Sequence, residues 1–169
     1  KTSNKNSYNT TTTNSHNTNT TTNNTIIIKN YGQENLSYIT PKYIANILTN
    51  QGIYNSIPNL VKAIHFNNKY PENKNIKITN KKQPYVKTFE DGNWQLRDKK
   101  ETIKEIMDEK KNIMDMYDKW IQEHLPNNTQ KYYNNYKVNL NEQNEQIEKK
   151  ILKDVELTIL NGKESMLIE

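Results

Sequence analysis

Apolar residues recur along this chain with two spacings, a helical one of three and four and an alternating one of two. From Thr40 the pattern is helical. Tyr43, Ile44, Ile47 and Leu48 share one face, Thr40 and Pro41 offer a cap and a first helical residue, and Gly52 offers a stop. Ser56-Ile57-Pro58 opens a second helix with Leu60, Val61, Ile64 and Phe66 turned inward. An Asn-rich turn over 67–75 follows, and then Ile76 and Ile78 alternate as in a half-buried strand. Residues 81–84 read as a connection. Segments 85–89 and 94–97 flank Glu90-Asp91-Gly92-Asn93, whose Asp-Gly pair signals a tight hairpin.

Beyond this three-stranded antiparallel sheet the helical spacing returns. Asp98 is placed to cap a long helix over 99–125, striped by Ile103, Ile106, Met107, Ile113, Met114, Tyr117, Trp120 and Ile121. Pro126-Asn127-Asn128 is expected to end it. A second long helix is expected over 141–160, with Ile147, Ile151, Leu152, Val155 and Ile159 inward and Gly162 as its stop. Such a pair suits a helical hairpin or an oligomer seam. Upstream, 26–30 reads as a short strand and 31–35 as a turn. The expected fold class is α+β: two short helices, a small three-stranded antiparallel sheet and two long C-terminal amphipathic helices.

Three regions follow: a tract over 1–25, an α+β module over 26–125 and a helical extension over 126–169. The tract is almost wholly Asn, Thr, Ser and Lys, with Tyr8 its one large apolar residue. It admits two readings. One is a disordered linker, because it has too little apolar surface to offset ordering entropy. The other is a β-rich stalk of Thr strands and stacked Asn ladders shared between several chains. His16 within it has no partner at ligand spacing and reads as solvated.

Composition narrows the chemistry. Of 24 basic residues only Arg97 is arginine, while Asn, Lys, Ile and Tyr abound in the way an AT-rich coding sequence produces. Abundance of lysine or asparagine is therefore a weak sign of selection, whereas placement still carries information. Residues 41–100 hold eleven basic and four acidic groups, and 101–125 hold four and seven. With no cysteine, disulfides, thiolate metal sites and Cys nucleophiles are excluded within these residues. The longest aliphatic run, Ile26-Ile27-Ile28, is far short of a membrane span. No signal-peptide pattern stands at Lys1, and the missing initiator Met makes a piece of a longer protein the expectation.

Two short helices followed by a hairpin in a basic block suggest a helix-turn-helix with a wing. On that reading Lys62, Asn67, Asn68, Lys69, Lys81 and Lys82 would face phosphate. A second pattern is a remnant of an HNH-type metal-dependent nuclease: His65 ahead of the Pro71-Glu72-Asn73 turn, a strand after it, and His124 as a distant further histidine. Against this, His65 closes a helix and lies close to Asn73. It then reads as a structural residue bracing a turn made by Pro71, Glu72, Asn73 and Asn75. There is no Gly-rich phosphate loop and no Ser/His/Asp set. The expectation is a non-enzymatic chain without cofactor, catalytic residue or metal site.

Several separate stretches, Tyr31-Gly32-Gln33-Glu34-Asn35-Leu36-Ser37-Tyr38-Ile39-Thr40, Ile57-Pro58 with Leu60-Val61, Ile64-His65-Phe66-Asn67, Pro71-Glu72-Asn73-Lys74-Asn75-Ile76 and Asp91-Gly92-Asn93-Trp94, stand in a distinctive order. Together they resemble a recurrent, largely uncharacterised C-terminal module in proteins of giant nucleocytoplasmic large DNA viruses. Many such proteins carry an N-terminal Cys2His2-type finger, a coiled coil and an Asn/Thr-rich tract before the module. The resemblance covers about 18–120. It implies a viral protein of the virion or the infected cell, and it supplies no catalytic residues. Joined to the residue reading, it points to a homo-oligomer, with a trimer among the possible numbers, whose basic head is expected to contact nucleic acid. The alternative is a purely structural fibre or virion-associated part. No membrane or small-molecule partner is expected.

Overall fold

The computed structural model describes residues 26–142 and 144–162. The 1–25 tract, with its linker and stalk readings and His16, lies outside them. The element order is α1 (Pro41–Asn50), α2 (Ser56–His65), β1 (Ile76–Lys77), β2 (Tyr85–Glu90), β3 (Asn93–Asp98), α3 (Lys99–Met116), α4 (Asp118–His124), α5 (Asn127–Asn141) and α6 (Glu145–Gly162). This is the α+β class read from the sequence.

The first helix starts as its residues dictate. Thr40 Oγ1 accepts the Tyr43 amide and Pro41 fills the first position. The strands form a meander in the order β1-β2-β3, antiparallel throughout. Asp91 and Gly92 both take positive φ, 49° and 80°, so a two-residue turn of type I′ closes the β2–β3 hairpin. Val86 is paired with Arg97 and Thr88 with Gln95, so one side chain in two from β2 points into the core. Tyr85, Lys87 and Phe89 point the other way.

The core is one cluster running through every helix. α2 lies at its middle, with Ile57, Leu60, Val61 and Ile64 all fully buried, and it packs against α1, α3 and α6. Only Asn59, Lys62 and Ala63 of this helix reach partial or full exposure. α6 lays Ile151, Val155 and Ile159 onto α2 and α3. Burying such a side chain is worth about 1.5–3 kcal/mol each, so α6 is part of what holds α2 in place.

Four expectations need correction. Residues 26–30 form no strand, because the Lys29 amide donates to the Glu72 carbonyl while the Tyr31 amide donates to that of Phe89. Main-chain bonds that go to two different segments make no ladder. The helix expected over 99–125 is broken at Tyr117, which ends α3 and precedes α4. No Gly or Pro marks the break. Asp118, the first residue after it, is held from a distance by Lys137 of α5 at 2.6 Å and locally by Gln122 of α4 at 2.8 Å.

Third, the hydrophobic pattern predicts no helix where α5 stands. Its run of Asn is poor in helix propensity, yet Tyr133 and Tyr136 stand three apart and are fully buried. Fourth, the last helix begins at Glu145 rather than near 141, with Asn144 Oδ1 accepting the amides of Gln146 and Ile147.

Candidate functional site

The buried corner between α2 and β1 gathers the polar residues that the sequence singled out. His65 ends α2 and is 0% exposed. Asn73 closes a 3₁₀ turn over Pro71–Asn73, and Asn75 precedes β1; both are also 0% exposed. The turn over 30–38 packs against them and contributes Asn30, Glu34 and Asn35.

The amide groups leave one consistent hydrogen-bond pattern. Asn75 Nδ2 donates to the Asn30 carbonyl at 3.2 Å and to Glu34 Oε1 at 2.8 Å. Its Oδ1 therefore accepts, and His65 Nδ1 donates to it at 2.9 Å. His65 is thus the neutral tautomer protonated on Nδ1. Its Nε2 has no hydrogen-bond partner among the described residues. Asn73 forms a reciprocal pair with the Asn35 main chain, its Oδ1 accepting the amide at 2.7 Å and its Nδ2 donating to the carbonyl at 2.9 Å. Asn35 Nδ2 donates to Glu72 Oε1 at 3.0 Å. Glu34 Oε1 also accepts the Gly32 amide at 2.9 Å. The Tyr31–Thr40 and Pro71–Ile76 stretches are therefore two halves of one network.

Electrostatics keep the corner in this state. Burial, with the Lys110 ammonium acting in the same direction, pushes His65 down to about 4 despite Glu34 and Asn75, which favour its charged form. Burial also pushes the Glu34 carboxyl up, but His65, the Gly32 amide and Asn75 outweigh that and hold it below its ordinary value. Tyr31 stacks on His65 with ring centroids 6.4 Å apart. Its phenol is raised far above its ordinary range, by burial first and then by Glu109 and Glu105.

The nuclease pattern fares poorly in this geometry. His65 is enclosed and bonded to Asn75. His124 lies on α4, its Nδ1 on the Trp120 carbonyl and its ring stacked on Trp120 at 3.9 Å. Among the described residues no three His, Asp or Glu side chains converge as a metal-ligand set.

The phosphate-facing candidates are divided. Lys62 and Asn67 line one shallow cleft of about 280 Å³ with Tyr43, Gln51, Asn59, Ala63 and Phe66. The Asn67 carboxamide accepts the Lys69 amide, and Asn68 Oδ1 accepts from Lys74. Lys81 and Lys82 lie on the β1–β2 turn, where Asn80 Oδ1 accepts the Lys82 amide and Lys99 donates to the Lys81 carbonyl. α2 packs against α1, α3 and α6, so of the helix expected to face DNA only Asn59, Lys62 and Ala63 reach the surface. Lys77, Lys87, Tyr85 and Trp94 were not singled out in the sequence, although alternation within the hairpin puts them on one face.

The chain matches no family model, no curated protein and no solved structure.

Proposed function

We propose that this chain is a non-enzymatic binding and assembly module whose 41–100 block contacts nucleic acid through phosphate. One observation carries the reading. Away from the outer sheet face, Lys42, Lys62, Lys69, Lys81, Lys82 and Lys100 of that block have no carboxylate within ion-pairing distance among the described residues. Over 101–162 the balance shifts, for five of the nine lysines, Lys104, Lys110, Lys137, Lys149 and Lys150, meet a carboxylate. Positive charge left unanswered by the chain itself is the electrostatic footprint of a polyanion partner. With a single arginine, which is itself bonded to Glu105, contact is positional and reads little sequence.

The viral setting and the homo-oligomeric, trimeric state belong to the same proposal and rest on the resemblance. An oligomer would set several weak basic heads on one lattice of phosphates and multiply their affinity. The test is fluorescence anisotropy with a labelled duplex across a salt series, alongside sedimentation velocity. Binding should weaken with salt, with log affinity falling by about 0.9 per phosphate contact for each unit of log salt. Replacing Lys62, Lys69, Lys81 and Lys82 with Gln should flatten that slope. A competing reading, a purely structural fibre or virion part, is favoured by the exposure of Ile26 and Ile27. It predicts assembly stable at high salt and no nucleic-acid binding by the oligomer, a result that would sink the nucleic-acid reading.

A further inference from the structure

The outward face of the sheet carries Lys77 from β1, Tyr85, Lys87 and Phe89 from β2, and Trp94 and Leu96 from β3. Register puts them together: Lys77 is opposite Lys87, Lys87 opposite Leu96, and Phe89 opposite Trp94. Phe89 and Trp94 meet edge to face with centroids 5.6 Å apart. Lys77 Nζ sits 3.6 Å from the centre of the Trp94 ring. Tyr85, Trp94 and Leu96 are 45%, 36% and 61% exposed.

The lysine pair is the telling feature. Like charges directly opposite each other on neighbouring strands destabilise a sheet. Burial lowers the Lys77 pKa, and the Lys87 charge beside it lowers it further. Neither lysine has a carboxylate partner among the described residues. In register on this face the strands offer one carboxylate, Asp98 opposite Tyr85, and its oxygen is already taken by the Glu101 amide at the start of α3. The chain thus keeps two cations together on an aromatic surface and gives neither an ion-pair partner among the described residues. Exposed rings on a sheet face with cations beside them fit unpaired bases and their phosphates, since every base has a face to stack and the backbone is anionic.

The geometry points to this sheet face as a binding surface for single-stranded nucleic acid, with Tyr85 and Trp94 as stacking platforms and Lys77 and Lys87 as phosphate contacts. The inference rests on the nucleic-acid reading above but uses different side chains, so the two can fail separately. The test uses the whole chain with Trp120→Phe, which leaves Trp94 as the one tryptophan. A labelled thymidine 12-mer and a duplex of equal length are titrated at low salt, reading Trp94 emission and anisotropy together.

Saturable change in Trp94 emission with the single strand, at its anisotropy midpoint, is the expected result. Trp94→Leu should lower single-strand affinity about tenfold. Joint replacement of Lys77 and Lys87 with Gln should reduce the single-strand salt slope by about 1.4. Duplex affinity should change less than twofold in both variants, each checked for folding by circular dichroism. If single strands bind with Trp94 emission unchanged, and only the Lys62, Lys69, Lys81 and Lys82 variant loses affinity, the sheet proposal is overturned and the basic block stands. Binding of neither strand form overturns both. A Trp94 signal that follows protein concentration without nucleic acid, with sedimentation shifting in parallel, assigns the face to a second copy of the chain and also overturns the proposal.

Discussion

The two polar regions of this molecule treat charge in opposite ways. In the corner below α2, nearly every donor and acceptor is answered from within: His65 by Asn75, Asn75 by Asn30 and Glu34, Asn73 by Asn35, and Asn35 by Glu72. On the outer sheet face Lys77 and Lys87 confront each other with no carboxylate partner among the described residues. A network closed on itself specifies a fold, because removing one member strands the others in a low dielectric. A surface left open specifies a partner. The buried histidine and asparagines tie the fold together through hydrogen bonds, and the nucleic-acid proposal rests on ordinary lysines on a hairpin.

Breaking the corner should have the largest effect. Asn75→Ala leaves the His65 Nδ1–H, the Asn30 carbonyl and the Glu34 carboxylate short of partners, and should cost about 3–4 kcal/mol in urea unfolding. A loss below about 1 kcal/mol would mean that the network is not a closed unit. Acid should act nearly as strongly. His65 falls from its ordinary 6.5 to about 4 in the folded chain. As pH drops below 6.5 the unfolded chain takes up a proton that the folded chain refuses, so stability declines until about pH 4, by roughly 3 kcal/mol in all. Glu34, held low when folded, adds its own loss only as pH falls below its ordinary range. The His65→Gln variant, whatever its own stability, should show a shallower decline over this window in unfolding midpoints. An unchanged pH profile would remove His65 from the account.

The sheet face should respond in the opposite sense. Lys87→Gln removes one of two facing cations while sparing the Lys77–Trp94 contact, and should raise stability by about 0.3–0.5 kcal/mol. The same change should weaken single-strand binding. Stability gained with binding lost is the signature of charge kept for a partner, and a loss in both would make Lys87 a packing residue. Smallest is Asp98→Asn, since Asn and Asp cap helices about equally well and stability should hold within about 0.3 kcal/mol. Deleting the one carboxylate on this face should still tighten anion binding, read by the same anisotropy titration.

Much of this was legible in the sequence, and the misses share a cause. Local signals were sufficient for α1 with its Thr40-Pro41 start, for α2 and for the Asp91-Gly92 hairpin, because each is fixed by residues within one turn of itself. The break at Tyr117 and the whole of α5 were not, since Asp118 is held by Lys137 nineteen positions away and α5 shows only Tyr133 and Tyr136 to the core. The corner residues stand out in the sequence but their partners do not, since nothing local says that Asn75 reaches back to Asn30 and Glu34. Lys77, Lys87, Tyr85 and Trp94 were missed for a different reason. The alternation that predicts the strands also sorts side chains by face, and the outward set needed only to be read across the hairpin.

One small feature has wide reach. Asp98 is both the last residue of β3 and the cap of α3, so no slack lies between strand and helix. The Asp91-Gly92 turn fixes the other end of β3. Held at both ends, β3 cannot slip by one position without unwinding the first turn of α3, and a one-residue slip is what would swap inward and outward side chains. Trp94 and Leu96 are therefore kept facing solvent by the helix that follows them. An insertion of one residue anywhere between Asn93 and Asp98 would be felt as far away as the Lys99–Glu156 bridge to α6.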